Sequence, residues 1–408
     1  MKVRPPRQPS RIVVMAPPVA GVGDVDPAAL LPQILVAGSI NEDALANIEK
    51  RGVPSLTAAA EFAAARYEHE HNREEQALNH IQRAVAANPK SAGLQIWCAT
   101  LMLNGGRASD AVAHAEQAVR LEPESADAQR ILGQAYYQVG RLEDAVAALE
   151  HSLRLSPDES LRELLEKAKR EAAVEGRFAE TARGHFVLRY EGGKPAEALS
   201  DDLFRTLEHD YDGIAADLGI EPKAPVTVVF YSAQQFSDVT KSAGWVGALN
   251  DGKMRIPLGE VASITPQLES ALRHELTHSF VHAAVPHCPT WLNEGLAQLE
   301  EPQSVDGLAS SLGPQVITGE FVPLSQLEGS FQGMSYEQAQ RAYLESLSAV
   351  EYLRSAYGME CLRHLLTHLA DGEQSEAALH ASTGDWYDEL SGETKAYIAK
   401  RITADAAR

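Results

Sequence analysis

Residues 273–280 read RHELTHSF, inside a longer stretch, TPQLESALRHELTHSFVHAAVP, that reads as one helix. Thr265 suits the cap of this helix, Pro266 its first position and Pro286 its stop. Leu268, Leu272, Leu276 and Phe280 recur every four residues and form an apolar stripe. His274 and His278 keep the same spacing, so both imidazoles leave one face about a turn apart and can hold one cation between them. Glu275 stands next to the first histidine, within reach of a water on that cation without being a ligand itself.

A catalytic zinc takes three protein ligands and keeps one position open. Sixteen residues beyond His278 lies Glu294, in WLNEGLAQLEE, which reads as a second helix with Leu292, Leu296 and Leu299 on its buried side. Glu294 points off that side, where it can meet the histidines. Gly295 lets the second helix approach closely, and the linker AAVPHCPT, with two prolines, is long enough to reverse the chain.

Upstream, HFVLRY (185–190) and VTVVFY (226–231) read as strands, with an amphipathic helix over 196–218 between them. WVGALNDGKMRIPL carries Asn250-Asp251-Gly252 between two short strand-like runs, which signals a hairpin. Helices follow at 266–285, at 291–301 and from 335 onward. A sheet followed by helices implies an α+β domain.

HELTH followed by NEGLA resembles the gluzincin metallopeptidases, and W-L-N-E-G-x-A is close to the second motif of their aminopeptidase branch. With the strand HFVLRY, the hairpin and AYLESLSAVEYLRSAYG, residues 180–400 resemble the smaller peptidase-MA-like zincin domains. The resemblance implies that His274, His278 and Glu294 bind one Zn2+ and that Glu275 is the general base. Asn293 would support the site, and a tyrosine, Tyr343 before Tyr352, would assist the transition state. The Gly-x-Met-Glu-Asn segment that recognises an N-terminal amine in that branch is absent, so the resemblance does not extend to aminopeptidase specificity and leaves endo- and exopeptidase modes open.

Further upstream the chain repeats. Pro89, Pro123 and Pro157 are 34 residues apart, as are Ala77, Ala111 and Ala145, and Ala84, Ala118 and Ser152. In the third unit Leu132, Gly133, Tyr136, Ala145 and Pro157 fall on signature positions. Residues 57–158 therefore resemble three tetratricopeptide repeats, an all-α solenoid, with a capping helix over 159–178. Residues 1–56 read as a leader, with one or two short helices in LLPQILVAG and EDALANIEK. The peptidase-like domain is expected over 179–408.

A formal net charge of −21 argues against nucleic acid or an anionic membrane as partner. No apolar run reaches the roughly 18 residues that cross a bilayer. Cys98, Cys288 and Cys361 show no pairing pattern, which favours a reducing compartment such as the cytoplasm. Lys2, Arg4, Arg7 and Arg11 before IVVMAPPVAGV leave export open, although Pro17 and Pro18 break the apolar run. His364 and His368 lack a third ligand and read as solvent-facing, as do His69 and His71. His282 and His287 read as neighbours of the site, Cys288 as a small hydrophobe, and Trp245 and Trp291 as packing residues.

These features describe a zinc-dependent hydrolase acting on a peptide or protein, with repeats that offer a groove to a partner. The competing readings are a catalytically inactive adaptor of the same architecture and a zinc hydrolase acting on a non-peptide bond.

Overall fold

A computed structural model of the chain describes residues 26–71, 73–191, 197–241, 248–258, 263–285, 288–301, 321–331 and 334–405. The leader over 1–25, Trp245, Pro286 and His287 lie outside the described residues. The chain divides into two compact units that meet in sequence at Gly176 and Arg177.

In the first unit, α1 (Pro27–Ile34) and α2 (Glu42–Glu49) flank a two-residue hairpin, β1 (Leu35–Val36) and β2 (Ser39–Ile40). Helix pairs follow, their second helices starting 34 residues apart: α3 (Pro54–Glu70) with α4 (Glu74–Ala87), α5 (Ala92–Asn104) with α6 (Ala108–Leu121), and α7 (Ala126–Gln138) with α8 (Leu142–Leu155). The interval carries its own chemistry. Ser91 and Ser125 cap α5 and α7. The amides of Gln95 and Gln129 donate to the Pro89 and Pro123 carbonyls at 3.0 and 3.1 Å. A Cβ on Gly133 would lie 2.7 Å from the Leu149 side chain, so glycine is what lets α7 and α8 cross. Leu30, Ile34, Leu45 and Ile48 join the repeat core, so the two short helices belong to this unit. α9 (Glu159–Glu175) covers Leu149 with Leu161, Leu165 and Ala168.

The second unit opens with a five-stranded sheet of order β3-β4-β5-β7-β6, from β3 (Phe178–Arg183), β4 (Phe186–Glu191), β5 (Val226–Tyr231), β6 (Leu249–Asn250) and β7 (Met254–Pro257). β4, β5 and β7 run parallel, and β3 and β6 close the two sides antiparallel. α10 (Glu197–Leu218) makes the crossover from β4 to β5 that parallel pairing needs. α11 (Ala233–Thr240) follows β5, opened by a capping box of Ser232 and Gln235.

Among the described residues, helices α12 (Pro266–Ala284), α13 (Thr290–Glu300), α14 (Tyr336–Tyr357), α15 (Met359–Ala370), α16 (Ser375–Thr383) and α17 (Tyr387–Asp405) follow. Phe186, Leu188, Val228, Phe230, Met254 and Ile256 of one sheet face share a core with Leu272, Leu276 and Phe280 of α12 and Trp291, Leu292 and Leu296 of α13. No described helix is long and apolar enough to cross a membrane.

β3 carries no strong sequence signal because nearly all its side chains are exposed. Its ladder with β4 holds it, with Thr181 and Tyr190 hydroxyls 3.0 Å apart. The second strand of the hairpin is interior: β7 pairs with β5 on one side and β6 on the other. Among the described residues, the outermost strand on that side is β6.

Candidate metal centre

The centre is built where α12 and α13 face each other. Thr265 caps α12, its side chain accepting from the Leu268 amide at 3.2 Å, with Pro266 at the first turn. Leu272, Leu276 and Phe280 are fully buried and turn one face of α12 to the core. His274 and His278 leave the other, with Nε2 atoms 3.2 Å apart. Glu294 Oε2 lies 3.6 Å from His274 Nε2 and 3.4 Å from His278 Nε2. Ligand atoms from the three residues fall within 4.8 Å of one another.

Each imidazole is held from behind. Asn293 Oδ1 is 3.0 Å from His278 Nδ1, and Glu301 Oε1 is 2.7 Å from His274 Nδ1. Both acceptors require a proton on Nδ1 and so leave the Nε2 lone pairs for a cation. Glu301 is itself fixed by the Ser270 hydroxyl at 2.7 Å. Arg273 braces the same region, bonding Asp210 of α10 at 3.0 Å and Glu300 of α13 at 2.7 Å.

The charges favour a cation. Burial opposes a charged His274, but the Glu294 and Glu301 carboxylates outweigh it and lift the group to about 10. Burial acts against Glu294 as well, yet His278 and His274 hold it well below the usual carboxylate range. Glu275 goes the other way. Burial raises it, only partly countered by His278 and His274, and Glu294 and Asp251 add to the rise. Glu275 is 7% exposed, and its Oε2 has no hydrogen-bond partner among the described residues. Two anchored imidazoles, one carboxylate and a buried carboxyl with an unpartnered oxygen fit an open zinc site with its base.

The two tyrosines part company. Tyr343 packs edge to face on Phe331 at 5.5 Å, and burial with the charges of Glu294 and Glu275 raises its phenol. The amide of Gln298, four residues after Glu294, donates to the Tyr343 carbonyl at 2.8 Å. Tyr352 instead meets Tyr357 and Tyr397, at 6.3 and 5.8 Å, and feels Glu393 and Asp385. Of the two, Tyr343 is the one whose phenol is raised by Glu294 and Glu275 as well as by burial.

Gly295 does allow a close approach, but to α14 rather than to α12. A Cβ there would lie 2.5 Å from Val350 and 2.6 Å from the Ser346 carbonyl. His364 and His368 pair with Glu360 and Glu373, and neither belongs to a metal-ligand cluster among the described residues. His71 is exposed, while His69 stacks edge-on against Trp97 at 5.9 Å. Cys288 is half-buried against the core and Trp291 is fully buried. Sequence reasoning missed Glu301 and Ser270, because a carboxylate seven residues past Glu294 reads as the polar end of a helix.

Residues 211–400 match the Peptidase MA superfamily and residues 99–160 match the tetratricopeptide repeat. The chain thus carries a Peptidase MA superfamily domain preceded by tetratricopeptide repeats. No curated protein matches. Similar solved structures include the first TPR domain of human RPAP3, at 20% identity over 28% of this chain and 92% of that one, TM-score 0.27. The second TPR domain of human RPAP3, in complex with an HSP70 peptide, is similar at 25% identity over 28% and 98%, TM-score 0.28. A thermophilic TPR protein of Thermus thermophilus is similar at 25% identity over 32% and 71%, TM-score 0.23.

Proposed function

We propose that the second unit is a zinc-dependent peptide-bond hydrolase and that the repeats recruit its protein substrate or a partner. One observation carries the reading: His274 Nε2, His278 Nε2 and Glu294 Oε2 converge beside the buried, unpartnered oxygen of Glu275. His274, His278 and Glu294 would hold one zinc ion. Zinc bound there supplies Lewis acidity and a water that loses its proton near neutral pH.

The remaining steps belong to the chain. Glu275 takes the proton of the attacking water and passes it to the leaving amine. Burial raises the basicity of Glu275 and suits it to that exchange. The Tyr343 hydroxyl, kept protonated by burial and by Glu294 and Glu275, donates to the oxyanion as charge develops. Asn293 and Glu301 keep the two imidazoles in the tautomer the metal needs. The outer side of β6 offers an extended peptide the next place in the sheet.

Metal analysis of the purified chain with a screen of quenched-fluorescent peptides tests the reading. One zinc per chain with chelator-sensitive cleavage is expected. Full occupancy by zinc without cleavage of any peptide would sink the peptidase assignment.

A further inference from the structure

We propose that Asn250 is a positioning residue of this site, setting the height of the outermost strand above the helix that carries Glu275. The proposal rests on the reading of the centre as a zinc hydrolase whose peptide pairs with β6.

The Asn250 side chain is bonded at both its nitrogen and its oxygen. Its Nδ2 donates to the Glu275 carbonyl and to Ser279 Oγ, both at 2.7 Å. Its Oδ1 accepts from the Gly252 amide at 3.1 Å. A carbonyl on one side demands the NH2 group and an amide N–H on the other demands the oxygen, so the orientation is set by its partners. Aspartate would face the Glu275 carbonyl with a second acceptor, and serine is too short to reach both elements.

The same side chain thus closes the turn of the hairpin and ties its outer strand to α12 at the residue that acts as base. The rest of the hairpin is stiff. Asn250 pairs with Met254 and Leu249 with Arg255. Gly252 takes φ +98°, which favours glycine. Asp251 holds Arg255 Nε at 3.0 Å, and Arg255, fully buried, donates to the Tyr231 hydroxyl at 2.6 Å.

A strand added outside β6 lies about 4.8 Å from it. Its scissile carbonyl therefore takes its position from β6, and β6 takes its position over Glu275 from Asn250. A misplacement of about 1 Å costs on the order of a hundredfold in rate, so a single amide at this point matters to peptides and not to metal.

Two probes separate these effects in the zinc-loaded full-length protein. Acetohydroxamate grips the metal and has no peptide backbone, whereas mixed-sequence tripeptide hydroxamates grip the metal and extend along the strand. Asn250→Ala is expected to keep zinc and acetohydroxamate binding within about twofold and to weaken the tripeptide hydroxamates about tenfold or more. Ser279→Ala, which removes one of the two acceptors, should weaken only the tripeptide hydroxamates, by about two- to threefold, and carries the comparison if the first variant does not fold. Unchanged tripeptide binding, or an equal loss for both probes, overturns the proposal. A wild-type protein that holds no zinc and binds neither probe overturns the reading of the site, and this proposal with it.

Discussion

Glu301 Oε1 lies 2.7 Å from His274 Nδ1, although the histidine belongs to α12 and the glutamate is the residue that ends α13. The contact joins two helices at one of the two clustered histidines and fixes which imidazole nitrogen carries the proton. Glu301→Ala should weaken zinc binding about 10- to 100-fold with the fold retained, as chelator competition would show. Glu301→Gln, which keeps an oxygen acceptor, should lose less. Equal zinc affinity in all three proteins would remove Glu301 from the centre.

Glu275 touches the centre without being a ligand in this reading. Glu275→Gln should bind one zinc as tightly as the wild type and lose peptide cleavage by about 10²- to 10⁴-fold. Metal content and turnover, measured on one preparation, decide the matter, and undiminished turnover excludes Glu275 as the base.

Tyr343 and Tyr352 occupy one helix nine positions apart, and only the first is coupled to Glu294 and Glu275. Tyr343→Phe should lower kcat about 10²-fold with KM little changed, as expected for the loss of an oxyanion donor. Tyr352→Phe should leave both constants near wild type. The reverse ranking would move the role to Tyr352.

Gly295 sits where α13 meets α14, with Ser346 O and Val350 in the space a methyl group would need. Backbone lies on one side, so relaxation is restricted. Gly295→Ala should destabilise the second unit by about 1–3 kcal/mol. In a domain of this size that is a fall of roughly 3–10 °C in its melting transition, readable by calorimetry. An unchanged transition would mean the helices can part without cost.

Glu345 gives a pH dependence of defined sign. Burial lifts its carboxyl to about 7, against partial opposition from the Val322 amide, Arg341 and Lys395. The folded chain therefore holds a proton that the unfolded chain releases near the ordinary value of 4.5, and stability falls as pH rises from about 4.5 through 7. Glu345→Gln should flatten that fall and be the more stable protein at pH 8, by on the order of 2 kcal/mol. Denaturant titrations at pH 5 and pH 8 measure both slopes, and parallel pH profiles would contradict the assignment.

Much of the molecule is legible in its residues because the signals are local. A 34-residue interval of alanines and prolines marks helix pairs, and the crowding of Gly133 against Leu149 gives the spacing its reason. An i, i+4 pair of histidines on a helix with a leucine stripe places both imidazoles on one face whatever surrounds it. Strands such as VTVVFY appear at their predicted positions because buried parallel strands are continuously apolar.

Other features needed the tertiary structure. β3 is exposed and has no pattern to read, and the place of β7 inside the sheet depends on pairing between distant segments. Glu301 meets His274 only because α13 packs back along α12. Tyr343 and Tyr352 differ in the direction they leave a helix whose packing on α13 is decided by Gly295. From its sequence alone, this protein had its repeat architecture and the shared face of its two helix-borne histidines determined, since each follows from periodicity along one element. Which carboxylate steadies which histidine, which aromatic rings Tyr343 and Tyr352 meet and how the described strands order in the sheet were decided by contacts between elements, because such contacts depend on packing that no single segment encodes.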